Sequence, residues 1–316
     1  MVKMYRTDIE TNICNEVKDF ERGTWINMIN PTEKEIESIC YNLKIKDNFI
    51  RYALDIEEKA RIDIEEDDNT ILFIIDIPII EKEHGNNMYT TIPLGMIIVR
   101  DDFFITVSLK RTSLIQSFEM GQVKNFATYK KSRFILQMMY NNSSDFLKYL
   151  NRINKETEIA ESVLKTSMKN KELLQLLSLE KGLVYFTTSL RSNEAVMERT
   201  LKIKNIKLYD EDEDILEDAI IENKQAIEMS KVYSDILTGT MDAYASIISN
   251  NLNGVMKFLT SITIILAIPT MIASYWGMNV KMPLQDNPFG FFIVVGGSII
   301  LGIIAMYWLK RKNMLD

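Results

Sequence analysis

Histidine occurs once in the 316 residues, at His84, and cysteine twice, at Cys14 and Cys40. Two cysteines and one histidine fall short of the four ligands of a structural zinc site, and they exclude a disulfide scaffold. With no phosphate-binding loop and no nucleophile motif, the chain is not read as an enzyme and no organic cofactor is expected. Proline is missing from Leu94 to Ile268, a stretch of 175 residues, which leaves long helices unbroken. A basic excess is missing too. Lys plus Arg number 37 against 44 Asp plus Glu, a net charge of −7, which argues against a nucleic-acid partner. Charge of either sign is absent from residues 258–280 and again from 287–309, 23 residues each.

Either uncharged run is long enough to cross roughly 30 Å of hydrocarbon as a helix rising 1.5 Å per residue. Only six residues, Lys281 to Asp286, separate them, so the two spans are expected to form a tight hairpin in the lipid bilayer. Lys257 precedes the first span, and Lys310, Arg311 and Lys312 follow the second. The positive-inside rule then places both termini in the cytoplasm and the short loop outside. Trp276 at the outer end, and Tyr307 and Trp308 at the inner end, suit an aromatic belt. The polar start, Met1 to Thr11 with Asp8 and Glu10, reads as neither a signal nor a transit peptide. Residues 257–316 hold five basic and two acidic residues, so residues 1–256 carry a net charge of −10. The acidity belongs to the cytoplasmic part.

That part reads as α+β, a mixed sheet flanked by helices. Thr24 to Ile29 predicts a strand. Pro31, Thr32 and Glu35 open a helix to about Leu43, with Thr32 and Glu35 spaced as a capping box. A short helix is predicted over Asp47 to Asp55. Strands are predicted over Ile71 to Ile80, Met88 to Val99 and Phe103 to Leu109, the last two joined by a turn at Arg100-Asp101-Asp102. Helices are predicted at about 131–166, 170–203 and 210–275. In the last, Tyr233, Leu237, Met241, Tyr244, Ile248, Leu252, Val255 and Leu259 recur about every 3.7 residues. The stripe runs into the first span without a break, so stalk and span read as one helix, with Pro269 as a kink. The expected divisions are a cytoplasmic domain at 1–206, a stalk at 207–255, a first transmembrane helix at 256–276, an external loop at 277–288, a second transmembrane helix at 289–309 and a basic tail at 310–316.

The first span carries Asn253, Met256, Thr260, Thr263, Ala267, Thr270 and Ser274 at alternating spacings of 3 and 4. Such a stripe of small and polar side chains serves either as a helix-packing seam or as the lining of a water-filled pore. Neither span contains an acid, so a cation passing here keeps much of its water or meets only neutral oxygens. Two acid-rich stretches stand outside the spans. One is Asp210, Glu211, Asp212, Glu213, Asp214, Glu217 and Asp218; the other is Asp55, Glu57, Glu58, Asp63, Glu65, Glu66, Asp67 and Asp68. Such density repels unless a cation bridges it, although acids at a helix start also favour the macrodipole.

At the outer end of the first span the chain reads Tyr275-Trp276-Gly277-Met278-Asn279-Val280. This string, the two C-terminal spans, the basic tail and the long stalk resemble the CorA family of magnesium transporters, as does Asn253 to Thr260 at the membrane boundary. The resemblance implies a homopentameric funnel in a bacterial inner membrane, passing Mg²⁺ and regulated by it. It implies a selectivity filter at Gly277, Met278 and Asn279. It also implies a pore lined by Asn253, Met256, Leu259, Thr263, Ala267, Thr270 and Ser274, with Met256 and Leu259 as a constriction. Regulatory cation ligands transfer by position to Asp218, with Asp214 and Asp55 as further candidates. Two departures follow. Met282-Pro283 is succeeded by Leu284-Gln285 where relatives carry Glu, leaving Asp286 as the loop's acid. Ala267 stands where the family has Met, which predicts a wider pore there. A zinc, cobalt or nickel transporter of the same fold, and a membrane-tethered scaffold, are the competing readings.

Overall fold

The computed structural model describes the chain except residues 84–85, 167–169, 204–209, 285–286 and 316, and the side chains of Glu83, Asn86, Thr166, Asn170 and Asp210 are likewise not described. His84, Gln285 and Asp286 therefore lie outside the described residues. Two compact units are present, Met1–Thr238 and Gly239–Asp316.

The first unit is built on a seven-stranded sheet in the order β2-β1-β3-β7-β6-β5-β4. The strands are β1 (Val2–Thr7), β2 (Cys14–Val17), β3 (Trp25–Ile29), β4 (Arg61–Glu65), β5 (Thr70–Glu83), β6 (Asn86–Val99) and β7 (Phe103–Ser108). All neighbours pair antiparallel except β3 and β7, so the sheet is mixed, as expected. Period-2 alternation divides β5 between its two faces. Ile71, Phe73, Ile75, Ile77 and Ile79 enter one core, and Leu72 and Ile74 the other. Helices α1 (Glu33–Leu43) and α2 (Asn48–Tyr52) cover the second core. Helices α3 (Ser113–Glu119), α4 (Lys131–Thr166) and α5 (Asn170–Thr200), with the start of α6 (Asp210–Trp276), cover the first.

Local signals account for several of these elements. Thr32 and Glu35 form the predicted capping box, with the Thr32 N–H donating to Glu35 Oε2 at 2.8 Å. Arg100 and Asp101 both adopt left-handed φ, at 51° and 55°, as the central pair of a tight hairpin turn that the Asp102 N–H closes on the Val99 carbonyl at 2.9 Å. Three strands escaped the sequence reading, β1, β2 and β4, as did helix α3. β2 and β4 are edge strands of four and five residues carrying Glu, Asp and Arg. Charged edges resist further pairing and blur the alternation that marks a strand. β1 is held by its partners, with Met4 opposite Val17 and Ile26.

One polar network ties α4 and α5 to the sheet. At Asp76 of β5, β4 has already ended at the Arg61–Ile74 pair, and Pro93 stands opposite on β6 without an N–H. The Asp76 carbonyl accepts from Asn142 and Asn193, at 2.9 and 2.8 Å, and its N–H donates to Asn193 Oδ1 at 2.8 Å. Burial pushes the Asp76 carboxyl up to about 6, against a Ser189 hydrogen bond that lowers it. A carboxyl raised on folding stabilises the fold fully below its unfolded value near 3.8 and loses that contribution as pH rises through about 6. Asp76→Asn is thus expected to stabilise the protein by about 1–3 kcal/mol above pH 7. The gain should vanish by about pH 4. Thermal unfolding of the full chain in detergent, followed by circular dichroism across that range, checks the sign.

The second unit contains the end of α6 and helix α7 (Gly290–Arg311). α6 is a single helix of 67 residues with Pro269 inside it, as the unbroken stripe predicted. Both helices are long and apolar enough to cross a membrane.

Candidate functional site

Within the second unit, the α6 surface that meets α7 is well defined. Ser261 is fully buried and donates to the Met314 carbonyl at 2.9 Å. Pro269 lies 4.0 Å from the position a Cβ would take on Gly302, and Trp276 lies 3.2 Å from that of Gly290. Ile265, Ile268 and Ile272, between these contacts, are half-buried. The facing side of α7 offers Gly290, Ser298, Gly302 and Leu309, all buried. A Cβ on Gly290 would also collide with the Leu284 carbonyl oxygen. Ser298 and Gly302 form a small-xxx-small pair that lets the helices approach closely. That spacing is a property of the sequence alone.

The stripe of Asn253, Met256, Leu259, Thr260, Thr263, Ala267, Thr270 and Ser274 is exposed along its whole length. At about 100° per residue it lies roughly half a turn around α6 from the face that meets α7. The hairpin seam is therefore made by other residues, and the packing reading of the stripe fails within one chain. The hydroxyls of Thr263 and Thr270 donate back to the carbonyls of Leu259 and Leu266, at 2.9 and 2.7 Å. Their protons are spent inside the helix, so what they offer outward is oxygen lone pairs. Such acceptors suit the protons of a cation's bound water.

Beyond Trp276 the helix closes with the Gly277 N–H on the Ala273 carbonyl at 2.9 Å and the Met278 N–H on Tyr275 at 3.2 Å. Gly277, Met278 and Asn279 are exposed. Neither Gly277 nor Asn279 has a positive φ, so neither is the left-handed residue that ends a helix in a capping motif. The Asn279 carboxamide makes no hydrogen bond to the described residues. The described residues assign it no structural task.

The acidic stretches are less uniform than their sequence suggests. Asp212 is buried and accepts from Arg133 Nε at 2.6 Å, while Glu211 takes the same guanidinium at 2.8 Å. In the other stretch, Arg61 pairs with Glu58 and Asp63, Lys46 with Glu65, and Arg100 with Asp68. The protein's own cations thus meet much of the charge. Asp214 and Asp218 are exposed on α6. Asp55 is exposed as well and closes a turn by accepting from the Glu57 N–H at 3.0 Å. Asp218 opens on a cavity of about 430 Å³ that Ser117, Gln137, Tyr140 and Asn141 also line, with Lys124 at its wall. The Gln137 side chain is buried, and its Oε1 has no hydrogen-bond partner. No three His, Cys, Asp or Glu side chains converge on a metal position among the described residues. One chain therefore does not bring Asp218, Asp214 and Asp55 together as a cage.

The family described as CorA-like Mg²⁺ transporter protein matches residues 20–311. The cobalt/magnesium transport protein CorA of Methanocaldococcus jannaschii is 28% identical over 305 residues, covering 93% of this chain and 92% of that one. Its complete solved structure superposes with a TM-score of 0.82 at 26% identity, covering 98% of each chain. The cytoplasmic domain of ZntB from Vibrio parahaemolyticus shares the fold at a TM-score of 0.59 and 11% identity, over 79% of this chain and 96% of that one.

Proposed function

The chain belongs to the CorA-like Mg²⁺ transporter protein family, and from that premise we propose that it is a membrane-potential-driven Mg²⁺ uptake channel. Copies of the chain, five by family resemblance, surround a path lined by the exposed α6 stripe. The observation that carries this reading is that a polar stripe running from Asn253 to Ser274 is left uncovered by its own hairpin.

The chemistry favours magnesium. Mg²⁺ keeps an octahedral water shell and sheds it reluctantly. Neutral amide and hydroxyl oxygens hydrogen-bond to those waters without stripping them. A ring of carboxylates would hold the ion too strongly for rapid passage. Gly277, Met278 and Asn279 form the filter, while Met256 and Leu259 narrow the path. A potential of 100 mV acting on two charges supplies roughly 4.6 kcal/mol, about three decades of accumulation. Uptake of that strength needs a brake. Cytoplasmic Mg²⁺ at Asp218 and Asp214, with Asp55 from the other acidic stretch, supplies it between neighbouring copies. Both termini are cytoplasmic, and the chain resides in the cell's inner membrane.

The test is flux into liposomes holding an ion-sensitive dye, under an imposed inside-negative potential. Mg²⁺ uptake that follows the potential is expected, with Co²⁺ as a second substrate, the ion that the Methanocaldococcus relative's name also carries. Zn²⁺ or Ni²⁺ passing in preference to Mg²⁺ would reassign the cargo. No flux of any divalent ion, together with a monomeric mass in detergent, would leave only the tethered scaffold.

A further inference from the structure

At the end of the hairpin where α6 enters and α7 leaves, the two helices do not close completely. Ile262, Ile265 and Leu266 of α6, Met306 and Lys310 of α7, and Leu315 of the tail line a groove of about 370 Å³. Five of the six side chains are aliphatic or thioether, and Leu266 and Met306 are 64% and 47% exposed. The tail is fastened beside the groove by the Ser261 hydroxyl on the Met314 carbonyl, which holds Leu315 at its margin. The single polar lining residue is a cation. Arg311 and Lys312 follow it, and Lys257 stands one turn before Ser261 on α6, so by sequence this end carries four basic residues against one acid, Asp316.

An apolar slot with a cation at its rim, in a segment that crosses a membrane, has the two-part chemistry of a phospholipid: an acyl chain for the slot and a phosphate for the lysine. Long Lys side chains at helix ends lie along apolar surface with the ammonium at the headgroup level. Basic pockets between transmembrane helices select anionic headgroups in this way. We propose that this groove is a binding site for one anionic diacyl phospholipid per chain. The lipid's acyl chain packs along Ile265, Leu266 and Met306, and its phosphate is held by Lys310. The lipid would splint the junction of α6, α7 and the tail. This inference rests on the membrane-spanning reading of the two helices, and on nothing about the transported ion.

Native mass spectrometry of the full-length protein in detergent, titrated with palmitoyl-oleoyl phosphatidylglycerol or the matching phosphatidylcholine, tests it. The expected result is about one phosphatidylglycerol retained per chain, at a lower lipid concentration than phosphatidylcholine requires. Lys310→Gln should raise the phosphatidylglycerol concentration needed about fivefold, the equivalent of about 1 kcal/mol per basic residue, and leave phosphatidylcholine unchanged. Lys281→Gln removes the same charge at the other end of the hairpin and should change nothing. Leu266→Phe fills the slot and should weaken both lipids. Equal retention of the two lipids, or equal effects of Lys310→Gln and Lys281→Gln, would overturn the site while leaving the membrane reading intact. No retained lipid at all would mean that a second copy of the chain covers the groove, and would overturn it too. A protein that stays monodisperse without detergent would instead defeat the membrane reading beneath it.

Discussion

Replacing Asn279 with Ala is expected to abolish divalent cation flux while leaving folding and assembly intact. The folding half of that expectation follows from the structure. Asn279 is exposed, has no left-handed φ and makes no hydrogen bond to the described residues. Alanine at such a position costs almost nothing, since surface changes without partners usually stay within about 0.5 kcal/mol. The flux half follows from repetition. One carboxamide hydrogen-bonded to an ion's water is worth about 1 kcal/mol net. In the proposed ring of five copies the loss approaches roughly 5 kcal/mol, or between three and four decades of ion occupancy. Asn279→Gln keeps the amide on a longer arm and should retain part of the flux. Asn279→Asp keeps the geometry but adds a charge to every copy, and should bind the ion while slowing its release. Undiminished Mg²⁺ uptake by Asn279→Ala liposomes would remove the filter from this position.

The second large effect separates two aspartates that stand six residues apart. Asp212→Ala should destabilise the first unit by about 3–5 kcal/mol, because it leaves the mostly buried Arg133 guanidinium without its closest carboxylate. Glu211 remains as a partner, but it is 81% exposed and shields little, so the loss should lie toward the lower end of that range. Asp218→Lys should leave the melting temperature nearly unchanged, since Asp218 is exposed, yet abolish the protection against protease that the proposed regulatory site predicts for the first unit in millimolar Mg²⁺. Thermal unfolding and limited proteolysis with and without Mg²⁺ read the two effects separately. Equal protection of wild type and Asp218→Lys would take Asp218 out of the regulatory site. An unaltered melting temperature for Asp212→Ala would show that the Arg133 pair contributes nothing.

These two residues also show why the acidic stretch could be found in the sequence but not divided there. Asp212 and Asp218 have the same chemistry and nearly the same neighbours along the chain. What distinguishes them is Arg133, 79 positions away from Asp212 in the sequence. Side-chain identity was equally mute about the unpaired oxygen of Gln137 and about the Asp76 network, because both depend on what packs against them from other elements. By contrast, the capping box at Thr32, the turn at Arg100-Asp101 and the unbroken helix α6 rest on interactions within a few residues, and they appear where local pattern put them.

The sequence by itself determined that this chain has two uncharged spans, a long helix leading into them and an acidic part before them. Each of those properties is a run or a period along one chain, and water and lipid sort runs and periods without reference to the fold. Only the tertiary structure decided that the stripe from Asn253 to Ser274 is left uncovered within its own chain. Spacing made it equally good as a packing seam or as a lining. The choice fell to α7, whose Gly290, Ser298 and Gly302 accept the opposite face of α6. Which face of a helix is buried is set by the partner that can approach it most closely, and that partner's small residues lie between 14 and 33 positions beyond the residues they meet.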